Sequence, residues 1–311
     1  MEKYTNKWAI SGRLNPHLLI LMIDKSGSMN ELLENGQTRS EMVASVINRT
    51  IETMIRVNQQ DGTIRDRIRI VVISYSNEVK IEAVGTLSEL YQNPLEVKEV
   101  EQKVPDGNVG LTTIKLKQRI WTKPIGKDEQ GCTCMAEAFA VATRILKEIV
   151  SPESYPPIIV NITDGYPQFP IETIDYTEEN MVEVLSSSIE QTKQQVKELS
   201  AQGKPIIFNL CFGEGTSIVF PIKEDLQEND FMSKFMYDIS SKMQNSTPKE
   251  WMYHFNRYLA TYQYLDDYFF ANWENQGAGC IVNMTPELFE EFFEMITYLQ
   301  CTGWGRGNII E

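Results

Sequence analysis

Asp24, Ser26 and Ser28 alternate along one short stretch, Asp24-Lys25-Ser26-Gly27-Ser28-Met29, directly after the apolar run Ile20 to Ile23. A carboxylate and two hydroxyls at that spacing can turn their oxygens toward one point, with Gly27 easing the backbone between them. Two further oxygen-bearing residues stand in comparable places. Thr133 lies in a loop leading into a helix-forming segment, and Asp164 sits in Thr163-Asp164-Gly165 after another apolar run. Hydroxyl and carboxylate oxygens are hard ligands, and with water they suit Mg²⁺ or Mn²⁺ in an octahedron better than zinc. Few protein charges around such an ion leave it electrophilic and able to take a carboxylate from outside.

The elements that must position these residues follow from hydrophobic periodicity. His17 to Ile23, Arg67 to Tyr75, Pro157 to Thr163, Pro205 to Phe212 and Gly279 to Asn283 are apolar runs of strand length, as in a parallel sheet covered on both faces. Glu78 to Ala83 turns back after Ser76-Asn77 as an antiparallel edge strand. Between the strands, Ser40 to Val57 carries Met42, Val43, Val46, Ile47, Ile51, Met54 and Ile55 at helical spacing, with Ser40 as the expected N-cap. Met135 to Val150, Thr177 to Ala201 and Phe231 to Met243 have helical composition, and Thr285-Pro286-Glu287 opens a last helix. Strand alternating with helix five times predicts an α/β fold, a doubly wound, mostly parallel Rossmann-like sheet with helices on both faces. Ligands of such sheets sit at the carboxyl ends of the strands, where strand order reverses. Asp24 and Asp164 both follow strands, so they should meet on one edge.

Composition narrows the partners. With 29 Lys+Arg against 43 Asp+Glu the formal charge is −14, which repels nucleic acid and anionic membranes. The opening residues have no apolar leader run, and no stretch is long and apolar enough to span a bilayer. Five scattered cysteines, an odd number, fit a reducing cytoplasm. Cys132 and Cys134 lack the second pair or nearby histidine that a zinc site needs.

The run Asp24 to Met29, Thr133 in Gly131-Cys132-Thr133-Cys134-Met135, and Thr163-Asp164-Gly165 together resemble the metal-ion-dependent adhesion site (MIDAS) of von Willebrand factor A domains. The resemblance implies that Asp24, Ser26, Ser28, Thr133 and Asp164 are metal ligands. It also implies that the serines, and Thr133 in the open form, coordinate directly, while the aspartates act through water. Phe235 to Ser241 and Gly279 to Asn283 are similar to late segments of bacterial cytoplasmic A-domain proteins of the tellurite-resistance-associated type. That likeness implies an Mg²⁺-dependent adaptor in stress response or signalling, whose partner presents an Asp or Glu to the ion. Kinases, phosphatases and AAA+ ATPases are the partner types it implies, and a regulatory subunit of a MoxR- or chelatase-like ATPase is the alternative role.

Polar, glycine-containing loops after strands are also ordinary turns and caps; the matching positions of Thr133 and Asp164 separate this one from them. An aspartyl phosphotransferase would use Asp24 as nucleophile but wants a second acid where Ser26 stands, and neither His17 nor His254 has a nucleophile beside it. A non-enzymatic role is expected. The 311 residues are read as one domain with two insertions and a flexible tail over 301–311. The first insertion, 84–131, has a period-2 pattern (Ile114, Leu116 and Ile120 against Lys115, Lys117 and Arg119) that suggests a hairpin or ribbon. The second, 247–276, places Trp251, Phe255, Tyr258, Tyr262, Leu265 and Phe269 on one face of an amphipathic helix.

Overall fold

All eight residues of β1 (His17–Asp24) are buried, which requires cover on both sides because successive side chains of a strand leave on opposite faces. Leu19, Leu21 and Ile23 join one core, shared with Val43, Ile47, Ile51, Phe289 and Phe293. Leu18, Ile20 and Met22 join a second, shared with Phe139, Leu146, Leu199 and Phe235. Each such aliphatic side chain contributes about 1.5–3 kcal/mol by leaving water. At the amino end of the strand, His17 is buried between Gln300 and the Pro156 carbonyl. Burial holds its pKa below the usual histidine value.

The computed structural model describes residues 16–105, 111–126, 131–150, 156–170, 177, 180–227, 230–242 and 277–302. After β1 come α1 (Arg39–Val57), the small hairpin β2 (Gln59–Gln60) and β3 (Thr63–Ile64), β4 (Ile68–Tyr75), β5 (Val79–Thr86) and α2 (Leu87–Gln92). A two-stranded ribbon, β6 (Glu96–Pro105) and β7 (Leu111–Ile120), precedes α3 (Met135–Ile149) and β8 (Ile158–Thr163). The chain then forms α4 (Met181–Ser200), β9 (Ile206–Phe212), β10 (Ile218–Val219), α5 (Phe231–Asp238), β11 (Cys280–Met284) and the last helix, α6 (Pro286–Thr302).

Seven strands make the central sheet in the order β10-β11-β9-β8-β1-β4-β5. Its five middle strands run parallel, and β5 is the expected antiparallel edge. At the other edge β10 adds a second antiparallel strand of two residues, too short to leave a periodic signal. Strand order reverses at β1, whose neighbours are β8 on one side and β4 on the other. This places the carboxyl ends of β1 and β8 side by side at the switch point.

Three local expectations change. The cap of α1 is Thr38 rather than Ser40: Thr38 Oγ1 accepts the Glu41 N–H at 3.0 Å and Glu41 returns a bond to the Thr38 N–H at 2.8 Å, a reciprocal capping box. Ser40 instead accepts the Ile125 N–H at 2.8 Å. The helix expected over Phe231 to Met243 stops at Asp238, because the Asn209 side chain donates to the Ile239 carbonyl and Ser241 N–H pairs with Ile207 of β9. Helix α6 continues through Cys301 and Thr302.

In the 84–131 segment, α2 is followed by the ribbon, whose ten cross-strand pairs run from Glu96↔Ile120 to Pro105↔Leu111. Trp121 fixes its base, fully buried with Nε1 donating to the Leu90 carbonyl at 2.9 Å. Arg119 adds an ion pair to Glu52 and stacks on Tyr91. The aromatic segment 247–276 and residues 303–311 lie outside the described residues.

Candidate metal centre

Asp24 ends β1 and Thr163 ends β8, and register places Ile23 beside Ile162. The first turn of the loop is built by the carboxylate itself: Asp24 Oδ1 accepts the Ser26 N–H at 2.8 Å, the turn an Asp side chain forms two residues on. A short 3-10 helix, Gly27–Asn30, then carries Ser28 outward while fully buried Met29 anchors it to the core. Gly27 N–H donates to the Gly131 carbonyl at 3.1 Å, tying this loop to the one that bears Thr133. Gly131 tolerates no side chain, since a Cβ there would stand 2.9 Å from that of Ser76. Thr133 is held in turn by Gln168 N–H, which donates to its carbonyl at 2.8 Å.

Four of the five expected residues form one connected set. Ser26 Oγ lies 3.1 Å from Ser28 Oγ, and Ser28 Oγ donates to Asp164 Oδ1 at 2.7 Å. Asp24 joins through its bond from the Ser26 N–H. Thr133 stands next to the set, its Oγ1 3.9 Å from where a Cβ on Gly165 would sit, beside Asp164. Asp24, Ser26 and Thr133 are buried, and Ser28 is exposed, so the cluster opens to solvent on the Ser28 side.

Two functional neighbours escaped the sequence pattern. Thr163 Oγ1 donates to Asp24 Oδ2 at 2.6 Å, and Arg39 Nη1 donates to Asp164 Oδ2 at 2.9 Å. Thr163 was legible only as the frame of Asp164; Arg39 had no signal, because its partner lies 125 positions away. The Thr38 cap sets the first turn on which Arg39 sits. Thr38→Ala should therefore cost about 1 kcal/mol in urea unfolding, with Thr38→Ser close to wild type; an Ala variant as stable as wild type would show that the cap is idle.

Electrostatics sharpen the picture. Burial raises the Asp24 pKa to about 7, and the Asp164 charge adds to that shift, against hydrogen bonds from Thr163 and Ser26. Burial also raises Asp164, while Ser28 and Arg39 pull the other way. Asp24 is thus a fully buried carboxylate that no Lys or Arg among the described residues pairs with, an arrangement that favours neutralisation by a proton or a cation. Among the described residues no three His, Cys, Asp or Glu side chains converge to hold a metal. The donor set here is two carboxylates and three hydroxyls, which fits a hard divalent cation that keeps water in its shell.

Comparisons place this arrangement among known proteins. A family model described as the von Willebrand factor type A domain matches residues 19–167, a span that runs from β1 past Gly165 and contains all five residues. Among solved structures, the chain is similar to a single-site mutant of the PilB minor pilin from Streptococcus sanguinis. Identity is 10%, TM-score 0.51, and the match covers 94% of this chain and 64% of that one. It is also similar to the pilus adhesin SpaC from Lactobacillus rhamnosus GG, with 10% identity, TM-score 0.53, and 95% and 31% of the two chains covered. At that identity the shared property is the fold, and the chain spans less than two thirds of either structure. No curated protein matches it in sequence.

Proposed function

We propose, from the match of residues 19–167 to a family model described as the von Willebrand factor type A domain, that Asp24, Ser26, Ser28, Thr133 and Asp164 form a metal-ion-dependent adhesion site for Mg²⁺ or Mn²⁺. The observation that carries this is the connected set Ser26–Ser28–Asp164 beside a buried Asp24 that no Lys or Arg among the described residues pairs with. A bound cation would supply a Lewis-acidic position open to a carboxylate. The residues supply the rest: Ser26 and Ser28 present oxygens, Asp24 and Asp164 supply charge, and Gly131 and Gln168 hold the Thr133 loop against them.

The role we infer is recognition of an Asp or Glu on a partner protein, in an adaptor of the tellurite-resistance-associated kind working beside a kinase, phosphatase or AAA+ ATPase. A non-catalytic role is supported by Ser26, which stands where a phosphotransferase needs a second acid, and by the position of His17 at the opposite end of β1. A reducing cytoplasm is supported by five free cysteines. Among the described residues no helix is long and apolar enough to cross a membrane.

The test uses an array of peptides each bearing one Asp or Glu, probed with the full chain in Mg²⁺, in EDTA, and as Asp24→Ala. Acid-dependent binding should appear in Mg²⁺ alone. Equal binding under all three conditions would sink the mechanism.

A further inference from the structure

Arg39 is a cation that the metal-site pattern does not ask for. It is the first residue of α1, and its own N–H donates to the Glu31 carbonyl at 3.0 Å. The loop between them is closed by Leu33 N–H to the Gln37 carbonyl and turned at Gly36, whose φ of +82° favours glycine. The guanidinium therefore reaches the site from a backbone fixed at both ends. Its Nη1 lies 2.9 Å from Asp164 Oδ2 and 2.8 Å from Glu31 Oε2. The Asp164 side chain is fully buried and that of Glu31 is 61% exposed, so one arginine nitrogen spans an interior acid and a surface acid. The other Asp164 oxygen takes the Ser28 hydroxyl. Both oxygens of Asp164 are engaged, one by a positive charge and one by a hydroxyl of the metal site.

We propose that Arg39 is an internal competitor of the divalent cation, holding the charge of Asp164 and so setting the metal affinity, with Glu31 as its alternative seat. This rests on the metal reading above. Two positive centres beside one carboxylate repel each other, and in a buried setting that repulsion is poorly screened. Glu31 lowers the cost of release, since a guanidinium that yields Asp164 still keeps a carboxylate at hydrogen-bond distance. Arg39 thereby acts as a positioning residue that ties metal occupancy to the loop 31–39 and to the start of α1. Glu31, although exposed, belongs to that exchange.

Calorimetric titration of the metal-free full chain with Mg²⁺ and with Mn²⁺ tests this in wild type, Arg39→Gln, Glu31→Gln and the double variant. Arg39→Gln should bind about tenfold more tightly while melting lower than wild type in EDTA, because Asp164 has lost its partner. Glu31→Gln should bind about threefold more weakly, and that loss should vanish in the Arg39→Gln background, the signature of coupling through Arg39. A merely structural arginine predicts weaker binding in Arg39→Gln, and that result, or unchanged affinity, overturns the competitor role. A Glu31→Gln loss that persists without Arg39 overturns the alternative seat, since it would reflect charge alone. If wild type binds and Asp24→Asn does not, a failure of Arg39→Gln to gain affinity touches only this proposal. If no variant binds either ion, the metal reading falls and this inference with it.

Discussion

Asp24→Asn should make the metal-free protein more stable at pH 8 and abolish its response to Mg²⁺. The carboxylate is buried with a pKa near 7 against an ordinary 3.8, so between those values the folded chain holds a proton that the unfolded chain releases. Stability then falls as pH rises through about 4 to 7 and stays low above it. The full shift corresponds to about 4 kcal/mol. Asparagine removes the charge, keeps one oxygen for the Ser26 N–H, and places an amide nitrogen at the second position, where it can donate to Thr163 Oγ1. Urea unfolding in EDTA at pH 5 and pH 8 should show wild type losing about 2–3 kcal/mol more than the variant across that interval. Parallel losses would show that Asp24 is not the group responsible.

The metal half of this prediction has the opposite sign. Wild type at pH 8 should gain about 3 kcal/mol when Mg²⁺ stands at a hundred times its dissociation constant, and the gain should shrink below pH 7 as protons compete for Asp24. Asp24→Asn should gain nothing at either pH. Those two results together would mark Asp24 as a residue that costs the metal-free protein stability and restores it on binding an ion, the pattern expected where function and fold make conflicting demands.

What could be read in advance depended on how local the signal was. The five parallel strands were legible because each is largely buried on both faces and so leaves a mostly apolar run, as in Ile158–Thr163 and Ile206–Phe212. Asp24, Ser26 and Ser28 could be named as candidates from their spacing, and Asp164 from its place after a strand, and the structure brings these four side chains together. Arg39 was not, since nothing near it in sequence marks a partner on β8. The Thr38 cap could have been found, because Thr38-Arg39-Ser40-Glu41 has the capping-box spacing; preference for the residue nearest the apolar stripe hid it. Helix α2 was hidden by its six-residue length, although Thr86 and Glu89 mark its start. Strand β10 owes its existence to pairing with β11 rather than to its own residues. The early end of α5 depends on Asn209, a polar residue inside a strand that hydrophobic periodicity counts only as an interruption.

That asparagine belongs to a buried polar line whose disruption should be the costliest single change in the described core. Tyr75 Oη donates to Asn161 Oδ1 at 2.7 Å, Asn161 Nδ2 donates to Asn209 Oδ1 at 2.9 Å, and Asn209 Nδ2 donates to Ser240 Oγ at 2.8 Å. Tyr75, Asn161 and Asn209 are all fully buried, and Tyr75 is the β4 residue registered with Asp24. The line thus runs from beneath the candidate site at Asp24, across β8 and β9, to the end of α5. Asn161→Leu keeps the side-chain branching but leaves Asn209 Oδ1 without its donor and the Tyr75 hydroxyl with only a long bond, 3.4 Å, to the Ile162 carbonyl, at roughly 1–3 kcal/mol for each impaired group, so about 3–5 kcal/mol is expected in urea unfolding. Adding Tyr75→Phe removes one impaired group and should recover about 1 kcal/mol or more, a coupling that simple loss of packing cannot produce. If the double variant is instead less stable than the single one by the full cost of Tyr75→Phe alone, the residues act independently and the line is not a network. Coupled behaviour would mean that these side chains hold β4, β8 and β9 in one register, and with them the carboxyl ends that carry Asp24 and Asp164.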